Sequence, residues 1–156
     1  MHREMRRKDR QTSTETAIDI LQRGEYGTLA TLGEDNLPYA VPLSYAYVEN
    51  CIYFHCAKVG HKLDNIKINP KVSFCVVGET KVIPDQFSTA FKSIIAFGTA
   101  EIIQDNMDKI KGLKALIEKY SPDFKIEGDE YINKDFSLTS VVKIHIEHIT
   151  GKHRDE

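Results

Sequence analysis

Predicted strands joined by short turns dominate this sequence and limit the folds that it can adopt. The turn sequences Gly33–Asn36 and Glu49–Asn50 separate strand-like segments rich in β-branched and aromatic residues. Strands are predicted at Tyr26–Leu32, Tyr39–Val48, Cys51–Ala57, Lys71–Gly78, Ser88–Gln104 and Leu138–Ile149. Short connections join antiparallel neighbours, whereas parallel strands need long crossovers. The sequence therefore predicts an α+β fold that is mainly antiparallel β, a barrel with helices packed outside it.

Apolar residues at helical spacing predict three helices and a less regular fourth segment. The helices cover Thr14–Arg23, a two-turn segment that starts at Gly60 and ends before Asn69, and Met107–Tyr120, with a further short helix near Asp129–Lys134. Thr14 is expected to cap the first helix and Gly24 to end it. The long helix is expected to bury one stripe, formed by Ile110, Leu113, Leu116, Ile117 and Tyr120.

Several predicted strands are apolar on both faces. In Cys51–Ala57, Ile52, Phe54 and Cys56 alternate with a second set that includes Tyr53 and Ala57. The segment Ser93–Gly98 is likewise apolar on both sides. A small barrel has only one interior, so the second face needs a helix, a ligand or another subunit over it. A homodimer is the simplest prediction.

Length and composition are typical of one globular domain, here expected to span residues 1–156. The net charge of −2 argues against general nucleic-acid binding. No apolar run has the length of a membrane span and no signal-peptide core begins the chain, so a cytoplasmic protein that is not bound to membranes is expected. Residues 1–12 form a basic arm that is predicted to be partly mobile, or else to touch a partner or an anion.

The cysteine and histidine spacings do not predict a metal site. Cys51 and Cys56 lie on opposite faces of one predicted strand, as do His145 and His148. Three cysteines without a pairing pattern do not suggest a disulfide framework. The spacing also supports no Ser-His-Asp or Cys-His arrangement, so a bound cofactor would have to supply any chemistry.

The strand-to-helix junction at Gly60-His61-Lys62 is the best candidate binding site. Glycine allows close backbone approach, and the first N–H groups of a helix carry partial positive charge that favours a phosphate. Lys62 could add an ammonium, although an ordinary solvated connection is the alternative. Pro42, inside a strand pattern, indicates a bulge or an edge strand. His55 is either a ligand contact or a wall residue.

An ordered series of segments strongly resembles the nitroimidazole-resistance proteins of the pyridoxamine 5′-phosphate oxidase-like flavin-binding superfamily. The series comprises Met5–Arg10, Tyr26–Thr31, Pro38–Tyr45, Ile52–His55, Gly60–Ile66, Asn69–Pro70, Val72–Phe74, Phe97–Gly98 and Thr150–Lys152. The resemblance covers nearly the whole chain, and Gly60–Ile66 is its most specific part. It implies a split β-barrel that dimerises and binds FMN at the subunit interface.

The resemblance also implies roles for individual residues. It places the FMN phosphate at Gly60, His61 and Lys62, and gives His61 a catalytic role. It places the flavin ring against two strand segments, made up of Pro42, Leu43, Ser44 and Tyr45 and of Phe54, His55, Cys56 and Ala57. The partner subunit would contribute part of the Ser88–Gln104 strand, including Ser93. The implied activity is reduction of a small electron-poor compound such as a nitroimidazole, with electrons from a transient donor.

Two departures argue against a true pyridoxamine 5′-phosphate oxidase. The chain contains no tryptophan, and His148–Lys152 lacks the Arg-x-His motif that those enzymes carry near their end. Two alternatives remain open: a flavin- or haem-binding module without turnover, and a deazaflavin binder, which would need a more basic groove.

Overall fold

A computed structural model describes residues 2–156, and in them seven antiparallel strands form one sheet with four α-helices around it. The strands are β1 Gly27–Leu32, β2 Pro38–Leu43, β3 Ala46–Val48, β4 Cys51–Ala57, β5 Lys71–Ile83, β6 Ser88–Ile102 and β7 Thr139–Arg154. The helices are α1 Thr14–Arg23, α2 His61–Ile68, α3 Asn106–Tyr120 and α4 Lys125–Asp135. The order across the sheet is β2-β1-β5-β6-β7-β4-β3.

The sheet closes into a split β-barrel, as the resemblance implied. One buried core cluster joins five of the strands with one face of α1, and half-buried residues of β2 and β3 pack against it, so the curled sheet has a shared interior. Its largest fully buried side chains include Phe54, Phe74, Leu29, Ile94 and Ile144.

The split lies at Ser44–Tyr45, where the prediction of one strand over Tyr39–Val48 was wrong. The segment forms two strands, β2 and β3, which follow each other in the chain but occupy opposite edges of the sheet. Tyr45 turns into the core between them, and its hydroxyl donates to the carbonyl of Leu21 in α1. A strand-like sequence was therefore interrupted by a tertiary contact with a helix.

Helices α3 and α4 cover the outer face of β4 and β7. Tyr53 and Val141 of the sheet pack there with Leu113 and Ile132 of the two helices. The helix can lie close because residue 112 is glycine, and a Cβ there would stand 2.5 Å from Tyr53 Cδ1.

The predicted stripe of α3 is only partly correct. Leu113 and Leu116 are buried, but Ile110 is 37% and Tyr120 40% exposed, and Lys109 and Gly112 complete the buried side. The helix is rotated because Gly112 offers the closest approach to the sheet. Long apolar side chains at Ile110 and Tyr120 would hold the helix further away.

Other boundaries differ in detail. Ser13, not Thr14, caps α1, and its hydroxyl accepts the N–H of Thr16 at 3.1 Å. Gly24 ends that helix as predicted, in extended backbone. β5 and β7 run past their predicted ends at Gly78 and Ile149, because both continue to pair with β6 after the irregularities in register.

The basic arm packs on the sheet in this structure. The N–H of Thr12 donates to the Gly151 carbonyl at 2.9 Å, and Gln11 forms a bridge to Lys152. The His2 ring stacks on His148 with 5.0 Å between ring centroids. The predicted mobility of residues 1–12 stays a prediction, and Met1 lies outside the described residues.

The outer face of β5 and β6 remains open beside the arm. Val77, Ile95 and Phe97 are 58%, 44% and 37% exposed there. This is the second apolar face that the sequence indicated, and the homodimer stays a prediction. No helix in residues 2–156 has both the length and the apolar character that a membrane span needs.

Candidate functional site

The corner between β4 and α2 has the local geometry that the sequence predicted. Gly60 takes φ +158° and ψ 165°, a conformation that residues with a side chain rarely adopt. A Cβ at this position would meet no atom within 4 Å, so the backbone conformation and not crowding calls for glycine. The corner therefore exposes its backbone to an approaching ligand.

The first N–H groups of α2 are free for such a ligand. The helix begins with the bond from Asp64 N–H to the Gly60 carbonyl, at 3.1 Å, which leaves His61, Lys62 and Leu63 without intrahelical acceptors. No side chain of residues 2–156 caps the helix. Three donors at the positive end of a helix form a site that suits an anion.

Lys62 provides a cation at the same place. No carboxylate of residues 2–156 lies within 4.0 Å of its ammonium. The ammonium is close to Cys56: burial raises the pKa of the Cys56 thiol, and the charge on Lys62 opposes that rise. Lys62 thus lies half-buried between the end of β4 and the start of α2 with its charge unpaired.

His61 is exposed and lies against β2. Its ring centroid is 3.9 Å from that of Tyr39, near the beginning of the strand. The adjacent turn of α2 is fixed to the barrel, because the buried Asn65 side chain donates to Thr31 Oγ1 at 2.9 Å. The anion corner is therefore held beside the first half of β2.

The second half of β2 carries the segment predicted to meet a flavin ring. Within residues 2–156, β2 is an edge strand that pairs with β1 alone, which confirms the edge interpretation of Pro42. Pro42 and Ser44 are exposed and Leu43 is half-buried. The Tyr45 side chain is completely buried, so of this residue only the backbone can face a ligand.

Two residues of α3 clamp the chain at this break. Tyr120 Oη accepts the Tyr45 N–H at 3.1 Å and also lies within hydrogen-bond distance of the Tyr45 and Glu25 carbonyls. Lys119 Nζ donates to the Tyr45 carbonyl at 2.9 Å and lies 3.6 Å from the centroid of its ring. Burial lowers the pKa of Lys119 to about 8. Sequence reasoning missed this clamp, because no spacing signal connects residues this far apart.

The end of β4 presents a mixed set of side chains. Phe54 is fully buried in the core, whereas Ala57 is exposed and Cys56 is half-buried. His55 lies on the outer face beside a cavity of about 40 Å³ beneath α3 and α4. Part of its ring reaches solvent, yet desolvation by the surrounding protein lowers its pKa.

The sequence of this chain matches a known protein family. A family model described as pyridoxamine 5′-phosphate oxidase matches residues 13–153, nearly the whole chain. The chain belongs to this family. The arm before residue 13 lies outside the match. A search of curated proteins finds no match.

Solved structures of similar fold extend the family comparison. A suspected 5-nitroimidazole antibiotic resistance protein of Bacteroides thetaiotaomicron aligns with TM-score 0.77 and 21% identity over 90% of this chain and 83% of its own. A conserved hypothetical protein of Mycobacterium tuberculosis aligns with TM-score 0.77 and 22% identity, over 97% of this chain and 91% of its own. A FAD and heme binding protein of Mycobacterium smegmatis aligns with TM-score 0.81 and 21% identity, over 94% of this chain and 74% of its own. At these identities the likeness shows the fold.

Within this family fold, a single chain brings together only some of the predicted site residues. Gly60, His61 and Lys62 form one corner with β2 beside it. Ser93 lies elsewhere, on the outer face of β6, in a cavity of about 230 Å³ between the sheet and Arg6 and Arg7 of the arm. Strands β1 and β5 separate it from β2. A contribution of Ser93 from a partner subunit stays a prediction.

Two further features of residues 2–156 concern where a ligand could bind. No group of three or more His, Cys, Asp or Glu side chains in this part of the family member could hold a metal ion. A groove of about 740 Å³ lies between the end of α1 and Gly78–Thr80, but none of the predicted cofactor residues lines it.

Proposed function

We propose that this protein is a flavoprotein that binds FMN through the Gly60–Lys62 corner. The observation that carries the proposal is the free N-terminus of α2, with an unpaired Lys62 beside Gly60, at which a Cβ would meet no atom within 4 Å. FMN ends in a phosphate, for which three N–H donors and an ammonium are matched partners. The residues present therefore fit the group.

The ring of FMN would extend along the exposed part of β2. Pro42 has no N–H, and Ser44 lies two residues further on, at the break after β2. The flavin ring has apolar faces and a hydrogen-bonding edge, so it would meet both a flat surface and free backbone groups there. The clamp by Lys119 and Tyr120 holds this segment in place before a ligand arrives. Such preorganisation lowers the entropy that binding must overcome.

A second copy of the chain would complete the site. The anion corner is open on one chain, and Val77, Ile95 and Phe97 leave an apolar face exposed. Covering that face with another copy would bury it and bring Ser93 of one chain towards β2 of the other. Sedimentation of the flavin-bound protein at micromolar concentration should show a dimer, and a monomer would exclude this part of the proposal.

The proposed activity is reduction of a small, flat, electron-poor compound such as a nitroimidazole, with a transient electron donor. Bound FMN supplies the redox chemistry. The chain itself has to bind the ring, exclude water and supply a proton. The exposed imidazole of His61, oriented by Tyr39, is the proposed proton donor.

One observation favours a second candidate function, a flavin- or haem-binding module without turnover. His61 lies beside Tyr39, and Ser44 is five positions further along the extended chain, about 16 Å from Tyr39. The candidate proton donor is thus at the phosphate end of the proposed site and distant from the ring segment.

Two ligands that differ only in phosphate test the binding proposal. FMN should bind much more tightly than riboflavin, because only FMN can use the donors of α2 and the Lys62 ammonium. Fluorescence quenching of each flavin measures both affinities on the same protein. Equal affinities would show that the corner holds no phosphate, and binding of haem without flavin would favour the module.

Anaerobic reoxidation tests the activity. Reduced holo-protein mixed with a nitroimidazole should be reoxidised faster than free reduced FMN. His61→Ala should abolish this gain while the FMN content stays unchanged. A rate no faster than free FMN would leave flavin binding intact and favour the module over the reductase.

A further inference from the structure

A thiol, an imidazole and a carboxylate meet on the outer face of three adjacent strands, away from the Gly60–Lys62 corner. Cys51 Sγ lies 3.8 Å from His145 Nδ1, and His145 Nε2 lies 2.9 Å from Glu101 Oε2. Cys51 belongs to β4, His145 to β7 and Glu101 to β6. Sequence reasoning missed this cluster because its members are far apart in the chain.

The backbone register fixes the positions of the three residues. Cys51 is directly opposite His145 in the ladder of β4 and β7. Asn50 strengthens this end of the ladder, because its side chain donates to the Ile146 carbonyl at 3.2 Å and its own carbonyl accepts the Ile146 N–H at 3.3 Å. On the other side, Thr99 is opposite His145 and Glu101 is two residues further along β6. The cluster is thus built on rigid strands.

The order of contacts is that of a nucleophile, a base and a residue that orients the base. Glu101 accepts a hydrogen bond from Nε2–H of His145, which leaves the lone pair of Nδ1 directed at the thiol. Burial raises the pKa of the Cys51 thiol, so the thiol is protonated at neutral pH and requires a base for reaction. His145 is the base in contact with it.

The other charges near Cys51 are already paired. Lys143 is bonded to Asp108 at 3.1 Å and Lys111 to Glu49 at 2.8 Å. The two lysines favour the thiolate and the two carboxylates oppose it. These charge effects oppose one another, and His145 is the group that contacts the thiol sulfur itself.

The chain contains two matched internal controls. Cys56 and Cys75 are also free and half-buried, and burial raises the pKa of each. Within residues 2–156, neither sulfur forms a hydrogen-bond contact with a histidine nitrogen. Cys51 therefore differs from both in its imidazole contact, and Cys75 is the cleaner control because the Lys62 ammonium lies near Cys56.

We propose that Cys51 is a site of thiol–disulfide exchange with small-molecule disulfides. His145 Nδ1 takes the thiol proton, the Cys51 sulfur attacks one sulfur of the disulfide, and the disulfide bond breaks. The products are a mixed disulfide at Cys51 and a leaving thiolate, which takes the proton back from His145. Electrons balance, because one disulfide replaces another and the thiol oxidised at Cys51 matches the thiol released. The proposal does not depend on flavin binding.

The rates of the three cysteines in the native protein test the proposal directly. Folded protein is mixed with glutathione disulfide at neutral pH, and peptide mapping by mass spectrometry follows each cysteine. Cys51 should react about a hundredfold faster than Cys56 or Cys75, the low end of what a positioned base contributes. In denaturant the three rates should converge. Equal rates in the folded protein would overturn the proposal without any variant being made.

Two substitutions separate the roles of the partners. His145→Gln should reduce the Cys51 rate to that of the control cysteines. Glu101→Gln should move the pH at which the Cys51 rate rises to lower values, because it removes a negative charge beside the base; a merely structural role would not move this profile. Cys75→Ser should leave the Cys51 rate unchanged. A Cys51 rate that His145→Gln does not alter would also overturn the proposal.

Discussion

The N-termini of α1 and α3 differ from that of α2 in what satisfies their first N–H groups. Ser13 caps α1 by accepting the N–H of Thr16, and Asp105 caps α3 by accepting the N–H of Asp108 at 2.9 Å. The N-terminus of α2 follows Gly60 and has no cap from residues 2–156. Two helices therefore stabilise their own ends, whereas the third leaves its donors available.

The charges of these helix ends differ in the same way. The caps of α1 and α3 are followed by Glu15 and Asp108, which the helix dipole favours. α2 instead starts with His61 and Lys62 ahead of Asp64, and a cation at that end is unfavourable. Buried Leu63 and Ile66 compensate by anchoring α2 to the barrel. The difference separates helix ends that serve stability from the one at which we propose that the phosphate binds.

The largest expected effect concerns Lys62. Lys62→Met should weaken FMN binding by about 1.5–3 kcal/mol, because a charge-assisted contact with the phosphate is lost. Lys67→Met is the matched control, since Lys67 lies in the last turn of the same helix. FMN titration measures both variants. Equal affinities for the two variants would remove the distinction between the ends of α2.

Gly60→Ala tests the backbone of the corner. Alanine at φ +158° should lower the free energy of unfolding by about 1–3 kcal/mol, because side chains disfavour this conformation although space is open. Val59→Ala, at an exposed neighbouring position, is the control. Denaturant unfolding without flavin gives both values, and an unperturbed Gly60→Ala would show that the corner tolerates any residue.

Asp105→Ala should lower stability and leave FMN affinity unchanged, whereas Lys62→Met should weaken FMN binding. Loss of the cap should lower the free energy of unfolding by about 1 kcal/mol. FMN affinity should stay the same, because α3 begins away from the corner. Urea unfolding and FMN titration of one preparation test both halves. A change in FMN affinity as large as that of Lys62→Met would contradict the separation of stability from binding.

The smallest expected effect concerns Lys119, which lies at the C-terminus of a helix and not at an N-terminus. The quantity affected is the pH dependence of the free energy of unfolding. Lys119 lies in the last turn of α3, and burial lowers its pKa from 10.5 to about 8. Between these pH values the unfolded chain binds more protons than the folded protein, so the free energy of unfolding should rise with pH. The rise is reduced because the side chain is only partly buried.

The slope of stability against pH measures this contribution. Lys119→Met should flatten the curve between about pH 8 and 10 relative to the wild type. Lys114→Met, an exposed lysine of the same helix, should leave the slope unchanged. A wild-type slope that Lys119→Met does not alter would show that burial of this ammonium has no effect on stability.

Much of the fold was predictable because its signals are local. The turn at Glu49–Asn50 places both residues at positive φ, as a tight hairpin requires, and Asn69–Pro70 ends α2 as predicted. The corner at Gly60 was also found from a few consecutive residues. Periodicity and turn chemistry act over one or two turns of chain, so a sequence displays them directly.

The sequence by itself determined the antiparallel strands, the short α2 and the glycine corner with its basic residues. The tertiary structure decided that Tyr39–Val48 breaks at Tyr45, which side of α3 is buried, and which residues surround each site. The contacts of Tyr45 with Tyr120, and of Cys51 with His145, join residues 75 and 94 positions apart. Such pairs form only when the sheet closes and the helices pack on it. The local sequence around each residue does not indicate which distant residue it will contact.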